Sequence, residues 1–451
     1  AGAILNGAAA GVSNVVGGSV YLSASGSIGT REKALTSVVS TLQGKSVAGG
    51  TFIENTGALT IGTIVEAQNA EGMTAGGDIV VTAHSPITFS ASVTATGNLT
   101  YTADESSTND RDNITVESGV SLISTGGSIT LRAGDNLSVA TTAVISAATG
   151  LTITTDYGDA DTEGGDVTIN GTVSSSGGAI QITTSTAQAD RVEITGTVNA
   201  FAALGIDLGS ANVADQLIMS GTLRGASVHL STGRGNDTVT ISGTVRSTSG
   251  DVTFDLGNDS EADSLTISAA IWSASDLLIY KLAEVDWTAK VGVAQSVNLT
   301  QGDLVQVMTG NRAVIYTYLK TAIGATDLGA ADYSNASLWR KTTVFDNSGI
   351  ATLLVEEGGS LRAGQDIEVL TGGGADSLTV LGNITADEGS LLVNLADSQT
   401  LTTQTIKLTG VVSAGTDIDI GTTGDIVTKL TTLATMTAKA AEPLRAFLHD
   451  V

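Results

Sequence analysis

The chain has 451 residues, with 46 acidic against 20 basic side chains for a formal charge of −26, 55 Gly, 2 Pro, no Cys and 4% aromatics. The absence of Cys excludes disulfide and thiol chemistry, the negative surface disfavours nucleic acid and anionic membranes, and no apolar run of about 18 residues is present to span a bilayer. The 41% apolar share argues against disorder; being Val, Ile, Leu and Ala interleaved with Thr and Ser, it suits short strands rather than a core anchored on large aromatics.

Residues 1–80 form the first expected segment. Ala1 is not an initiator Met and no signal peptide precedes it, so a processed product or a piece of a longer chain is expected. From Gly17 the sequence reads as a strand ending in "GSIGT" (Gly26 to Thr30), a crossing rich in Leu and Val, then "NTGALTIG" (Asn55 to Gly62). This pattern resembles the units of giant repetitive bacterial exoproteins and adhesins, of the filamentous-haemagglutinin-like and planctomycete-type β-solenoid kind. The resemblance implies a β-solenoid at the cell surface; its motifs speak to architecture and hardly to ligand.

Residues 81–279 carry a plain internal repeat, the feature to look for first. The segments "ADRVEITGTV", "ADQLIMSGTL", "NDTVTISGTV", "ADSLTISAAI" and "ADSLTVLGNI" place Asp at Asp190, Asp215, Asp237, Asp263 and Asp376, and the first four are separated by 25, 22 and 26 residues. A small residue follows each Asp by six, at Gly196, Gly221, Gly243, Ala269 and Gly382; Asp112 and Asp135 precede Ser118 and Thr141 in the same phase. Each unit holds three short pieces in which apolar and polar residues alternate, the period of a half-buried strand. Such pieces bury a core only by stacking on similar neighbours, each strand bonded to its equivalent one coil away at about 4.8 Å. The expected fold is therefore all-β: a right-handed parallel β-helix (β-solenoid) of about 25 residues per coil, with handedness taken from the crossover rule and a small inserted β module described below.

The Asp ladder of Asp112, Asp135, Asp190, Asp215, Asp237, Asp263 and Asp376 has two readings. The structural one puts each Asp at a solvated corner, its side chain bonding the backbone two residues on. The functional one is a calcium stack, because Thr232 to Thr240 and Thr371 to Thr379 match the calcium-binding nonapeptide except at their first position; the two copies lie far apart, whereas that motif needs consecutive turns. Two acidic loops are the better cation candidates. One contains Asp156, Asp159, Asp161, Glu163 and Asp166, the other Asp255, Asp259, Glu261 and Asp263. Oxygen ligands at that density suit Ca²⁺, and a plain solvated loop is the alternative. No cofactor is required by the fold.

The repeat fails across residues 280–347, which concentrate Tyr280, Trp287, Tyr316, Tyr318, Tyr333, Trp339 and Phe345. This reads as a small β-hairpin module inserted into the solenoid. Its run "GDLVQV…VIYTYL…DLGAADYSNASLWRKT" resembles inserted modules of giant bacterial surface proteins and, loosely, chitin-binding-type modules. The latter resemblance implies sugar-stacking aromatics at Tyr316, Tyr318, Tyr333 and Trp339, binding a surface glycan; the other reading is that these rings fill the module's core. The solenoid is expected to resume over residues 348–430. Residues 431–451 read as a cap or polymer joint, with a short helix over Leu444 to Leu448 opened by Pro443.

A catalyst is not expected. Parallel β-helix hydrolases and lyases acting on polysaccharides need paired carboxylates in a cleft, or bound Ca²⁺ with a basic partner. Here His84, His229 and His449 are scattered, and Arg111 and Arg191 sit beside ladder aspartates as neutralising neighbours. The expected role is an extracellular structural or adhesive component, a stiff acidic rod at the cell surface. The first alternative is the subunit of a self-assembling filament or sheath; the second is a polysaccharide-acting β-helix enzyme. Expected partners are further copies or neighbouring repeats, joined end to end, and a surface glycan, with no nucleic acid and no membrane insertion.

Overall fold

The computed structural model describes residues 2–9, 11–64, 71–84, 86–105, 112–158, 163–184, 187–257, 259, 261–281, 287–299, 301, 304–309, 312–320, 326–335, 337–341, 351–371, 376–396, 405–423, 429–432 and 436–438. It is all-β, with parallel strands stacked in about 13 coils of roughly 25 residues: a β-solenoid. Among the described residues the one helical element is the 3₁₀ turn Leu328–Ala330. The chain divides into two compact units, Ala1–Val228 with Thr240–Thr248, and His229–Val239 with Ser249–Val451.

In the first unit one coil shows the plan. Its strands are Arg191–Ile194, Thr197–Asn199 and Leu204–Asp207. Each pairs in parallel with its equivalents one coil away: Val192 with Leu217, Val198 with Leu223, and Ile206 with Ile182. Alternation along each strand sends one residue in two inward, so Val192, Ile194, Val198 and Ile206 have no exposed surface. Each such aliphatic side chain withdrawn from water contributes roughly 1.5–3 kcal/mol. The interior has room for a few rings: Phe89 and Tyr101 meet edge to face at 4.7 Å, and the buried Tyr101 hydroxyl donates to Met73 Sδ at 3.5 Å.

The N-terminal crossing is itself a strand. Leu35–Ser46 runs for 12 residues and serves three strands in turn, Thr51–Asn55, Leu59–Ile61 and Met73–Ala75. The fully buried Asn55 makes the bend between the first two. Its Oδ1 accepts from the Val39 N–H at 3.0 Å and the Ser37 hydroxyl at 2.8 Å, while its Nδ2 donates to the carbonyls of Val39 and Gly57.

At Gly196, Gly221 and Gly243 the small residue six places after the Asp has a steric cause. A Cβ built on Gly196 would strike the carbonyl oxygen of Gly171, one on Gly221 that of Gly196, and one on Gly243 that of Gly221. Those carbonyls are the acceptors that start the next strand: Thr197, Thr222 and Thr244 donate to Gly171, Gly196 and Gly221 at 2.9, 2.9 and 3.0 Å. None of these glycines has a positive φ, so close approach of stacked backbones, not turn conformation, demands glycine. The second unit repeats the arrangement, with Gly382 over Gly359 and Gly410 over Gly382.

The second unit also carries the module. Trp287–Lys290, Leu304–Thr309, Arg312–Tyr318 and Trp339–Lys341 form a separate four-stranded sheet, antiparallel except for its first pair, and Ser296–Val297 pairs with Thr326–Asp327. The coil closes as though the excursion were absent. Asp263–Ile267 pairs with Ala351–Val355, Leu277 pairs with Ile367, and the Asp366 N–H donates to Asp276 Oδ1 at 3.1 Å across 90 residues. The short helix read over Leu444 to Leu448 lies outside the described residues.

The glycine ladder is testable. Gly221→Ala is expected to destabilise the chain by about 1–3 kcal/mol, since neither backbone it would touch can retreat without breaking a coil. Gly18→Ala, where an added Cβ meets nothing within 4 Å, is the control and should leave the urea midpoint unchanged. Equal midpoints for the two variants would contradict the close-approach explanation.

Candidate functional site

The ladder aspartates face inward. Asp112, Asp135, Asp190, Asp215, Asp237, Asp263 and Asp376 are all between 0 and 3% exposed. The solvated-corner expectation is therefore corrected, and so is the local bond two residues on. Instead the carboxylates of Asp135, Asp190, Asp215, Asp263 and Asp376 each reach back one coil to a backbone N–H. Asp135 accepts from Asp112 at 2.5 Å, Asp190 from Gly165 at 2.6 Å and Asp215 from Asp190 at 2.8 Å. In the second unit Asp263 accepts from Asp237 at 2.9 Å and Asp376 from Ala351 at 2.7 Å. A corner interrupts the strand-to-strand pairing and would leave these buried donors without partners, a loss comparable to a broken hydrogen bond. The carboxylate fills that gap, and charge-assisted acceptance is roughly twice as strong as a neutral bond.

The next position along runs the other way. Asn113 Oδ1 accepts from the Asn136 N–H at 2.9 Å, Asn136 Oδ1 from Asp166 at 2.8 Å, and Asp166 Oδ1 from Arg191 at 3.1 Å. Each coil thus receives a bond from the coil after it at one residue and returns one at the neighbour. Asp166, singled out as a cation ligand, is a member of this second ladder. Of its loop companions, Asp156 is buried with φ 50°, Glu163 is half-buried, and Asp159 and Asp161 lie outside the described residues.

The second acidic loop holds a cation of its own. Lys281, with no exposed surface, brings its ammonium 3.1 Å from Asp259 Oδ1 and into a short ion pair with Asp263 Oδ2. Asp259 Oδ2 also accepts from the Gly235 N–H, and its Oδ1 from the Glu261 N–H at 3.0 Å. Glu261 is exposed, and Asp255 caps its own turn by accepting from Gly257 at 3.1 Å. Two of the four carboxylates therefore converge, and they converge on an ammonium. Among the described residues no group of three or more His, Asp or Glu side chains is placed to hold a metal ion. Burial pushes the Asp263 carboxyl from 3.8 up to about 7, against the pull of Lys281 and the Asp237 N–H, with the Asp237 carboxylate acting in the same direction as burial. Lys281 is what the sequence reading missed; the signal was a lone lysine closing the apolar run "DLLIYK".

In the module the four aromatics do come together. Tyr316 and Tyr333 lie 4.9 Å apart, Tyr333 and Trp339 4.8 Å, Tyr318 and Trp339 5.1 Å. They pack as a core, however: Tyr318 is 1% and Trp339 4% exposed, among Ala289, Val305 and Leu328. Those two rings have no face for a sugar. Tyr316 and Tyr333 are partly buried at its edge, and Tyr333 donates to the Leu328 carbonyl at 2.9 Å. Elsewhere, His84 sits between Asp104 at 3.0 Å and Glu54 at 3.4 Å, His229 is half-buried, and Arg191 pairs with Glu193 at 2.7 Å. Arg111 and His449 lie outside the described residues.

Set against models of known protein families, curated proteins and solved structures, the chain finds no match.

Two measurements follow from this geometry. Asp215→Ala should cost about 1–3 kcal/mol by orphaning the Asp190 N–H, and Asp215→Asn distinctly less, since its amide oxygen still accepts; denaturant midpoints decide, and equal losses would refute the ladder bond. Lys281→Met should cost about 3–5 kcal/mol by leaving Asp259 and Asp263 buried without their ammonium. The folded chain keeps a proton on Asp263 that the unfolded chain releases, so this group's contribution is fully present below 3.8 and lost as pH rises through about 7. Without Lys281 that proton is held more tightly, so the variant's melting deficit should be greatest above pH 7 and shrink on acidification. A deficit independent of pH would contradict the assignment.

Proposed function

We propose that this chain is an extracellular structural and adhesive β-solenoid, a non-enzymatic segment that displays surface at the cell exterior and joins to like coils. The observation that supports the reading most is how its interior polar groups are used. The carboxylates of Asp135, Asp190, Asp215, Asp263 and Asp376, the Asn55 amide and the Lys281 ammonium each bond to backbone or to one another inside the coils, so these buried polar groups serve the stack. The acidic exterior keeps neighbouring chains apart and soluble. No cofactor forms part of this reading.

A filament- or sheath-forming subunit is favoured by one further observation. Val15–Ala24 is a 10-residue strand that, among the described residues, pairs only with Leu35–Ser46. Val16 on it is 75% exposed, with Val12 at 56% close by. A long strand whose edge no other described strand covers, with exposed apolar residues, is a template for pairing with a further strand.

Electron microscopy of purified protein separates the two forms of the proposal. Filaments that disappear in Val16→Lys, a charge placed on the edge, would establish subunit assembly through that strand. Discrete particles in both proteins would leave the display role and remove the filament. Hydrolysis or elimination of any uronate polymer by the purified chain would overturn the non-enzymatic reading altogether.

A further inference from the structure

One sheet face of the first unit carries two exposed arginines on paired strands. Ser174, Asn199, Arg224 and Arg246 stand in one register column across successive coils. Their neighbours Val173, Val198, Leu223 and Val245 are fully buried, so alternation turns the column outward. In a chain with 46 acidic residues, the stretches 170–179, 195–203, 220–227 and 242–250 contain no Asp or Glu, and Arg224 and Arg246 are their only charges. Like charges directly opposite on paired strands destabilise a sheet. Here two exposed guanidiniums stand directly opposite each other on paired strands.

Beside them lies a groove of about 410 Å³, lined by Ser174, Ser176, Asn199, Phe201, Arg224 and Thr248. Its volume falls in the range of small-ligand sites, about 300–1,000 Å³. Phe201 is 68% exposed, the most exposed aromatic ring among the described residues; Tyr157 follows at 38%. Tyr157 is covered by the Arg132 guanidinium at 5.1 Å and Phe52 by Arg31 at 5.9 Å. Phe201 instead opens onto the groove, and Arg224 Nη1 leans 3.5 Å from Asn199 Oδ1 on the same side.

The composition of this groove narrows the ligand. A flat ring face attracts the polarised C–H groups of a sugar. A planar guanidinium takes a carboxylate on two parallel bonds. Hydroxyl and amide groups from Ser174, Ser176, Thr248 and Asn199 match a ligand dense in hydroxyls. The remaining negative surface repels polyanions of high charge density such as nucleic acid, which leaves a ligand whose charges are spaced one per ring. We propose that this groove binds an acidic saccharide, a uronate-bearing chain, with Phe201 under a sugar ring and Arg224 on its carboxylate. This deepens the adhesive reading above and rests on it only for the place where such a glycan is met. Failure of binding here would leave the assembly experiment on the Val15–Ala24 edge untouched, and failure there would leave this site standing.

The test is calorimetric titration of the full chain with a short oligogalacturonate, with a neutral cello-oligosaccharide and inorganic phosphate as the other ligands. The acidic oligosaccharide should bind and weaken with added salt, and the neutral one should bind at least about tenfold more weakly. Arg224→Gln and Phe201→Ala should each lower affinity by about tenfold or more, with melting temperatures unchanged because both side chains are exposed. Unaltered affinity in either variant would overturn the site as drawn. Equal binding of the neutral oligosaccharide would remove the role of Arg224. Effective competition by phosphate would reduce the groove to an anion spot and overturn the saccharide.

Discussion

Every coil of this protein must lie one strand spacing from the next, and that spacing leaves almost no slack at the corners. Along the strands the problem solves itself, because parallel pairing satisfies each N–H and C=O. At a corner the backbone turns out of register and its polar groups are buried with nothing opposite. The chain answers with side chains that impersonate a missing strand. A carboxylate reaches one coil back, an amide or carboxylate at the next residue reaches one coil forward, and a glycine a few residues on lets the two backbones touch. Remove the spacing constraint and none of these residue choices has a reason.

The same constraint explains why an acidic chain tolerates buried aspartates in file. A carboxylate that accepts a backbone N–H at each step is held by a local dipole, so the like-charge repulsion between coils is opposed bond by bond. Where the geometry departs from the simple ladder, at the loop containing Asp259, the chain supplies an ammonium. Lys281 comes from the end of the same coil's last strand, where the path leaves for the module. The expensive desolvation of three charged groups is offset only because they are mutually in contact.

Much of this was legible in the sequence. The fixed step from Asp to a small residue survives variation in coil length because both ends of it are dictated by stacking, and the three-strand division follows from alternation alone. Which way the aspartates point was not legible: an Asp flanked by Ala or Asn on one side and a strand on the other looks the same at a wet corner as at a dry one. Lys281 was hidden because its partners lie 18 and 22 residues earlier and looked complete as a calcium loop. The aromatic cluster announced a module, but a ring that stacks on a sugar and a ring that fills a small core use the same residues. Phe201 drew no notice because a lone aromatic in an alanine-rich turn carries no pattern; only the coil-to-coil register brings it beside Arg224.

The bond between Asp276 and Asp366 carries a consequence for how such proteins diversify. Two residues 90 positions apart meet as if they were ordinary neighbours of successive turns, so the stack closes around the excursion that the chain makes between Lys281 and Ala351. Loop closure grows in cost only slowly with length, and the corner is already spanned by side-chain bonds that belong to the stack. Such a corner works as a docking bay in the genetic sense. Cargo of any fold that returns its two ends to the same place can be exchanged there, and the scaffold neither registers the swap nor needs to evolve with it.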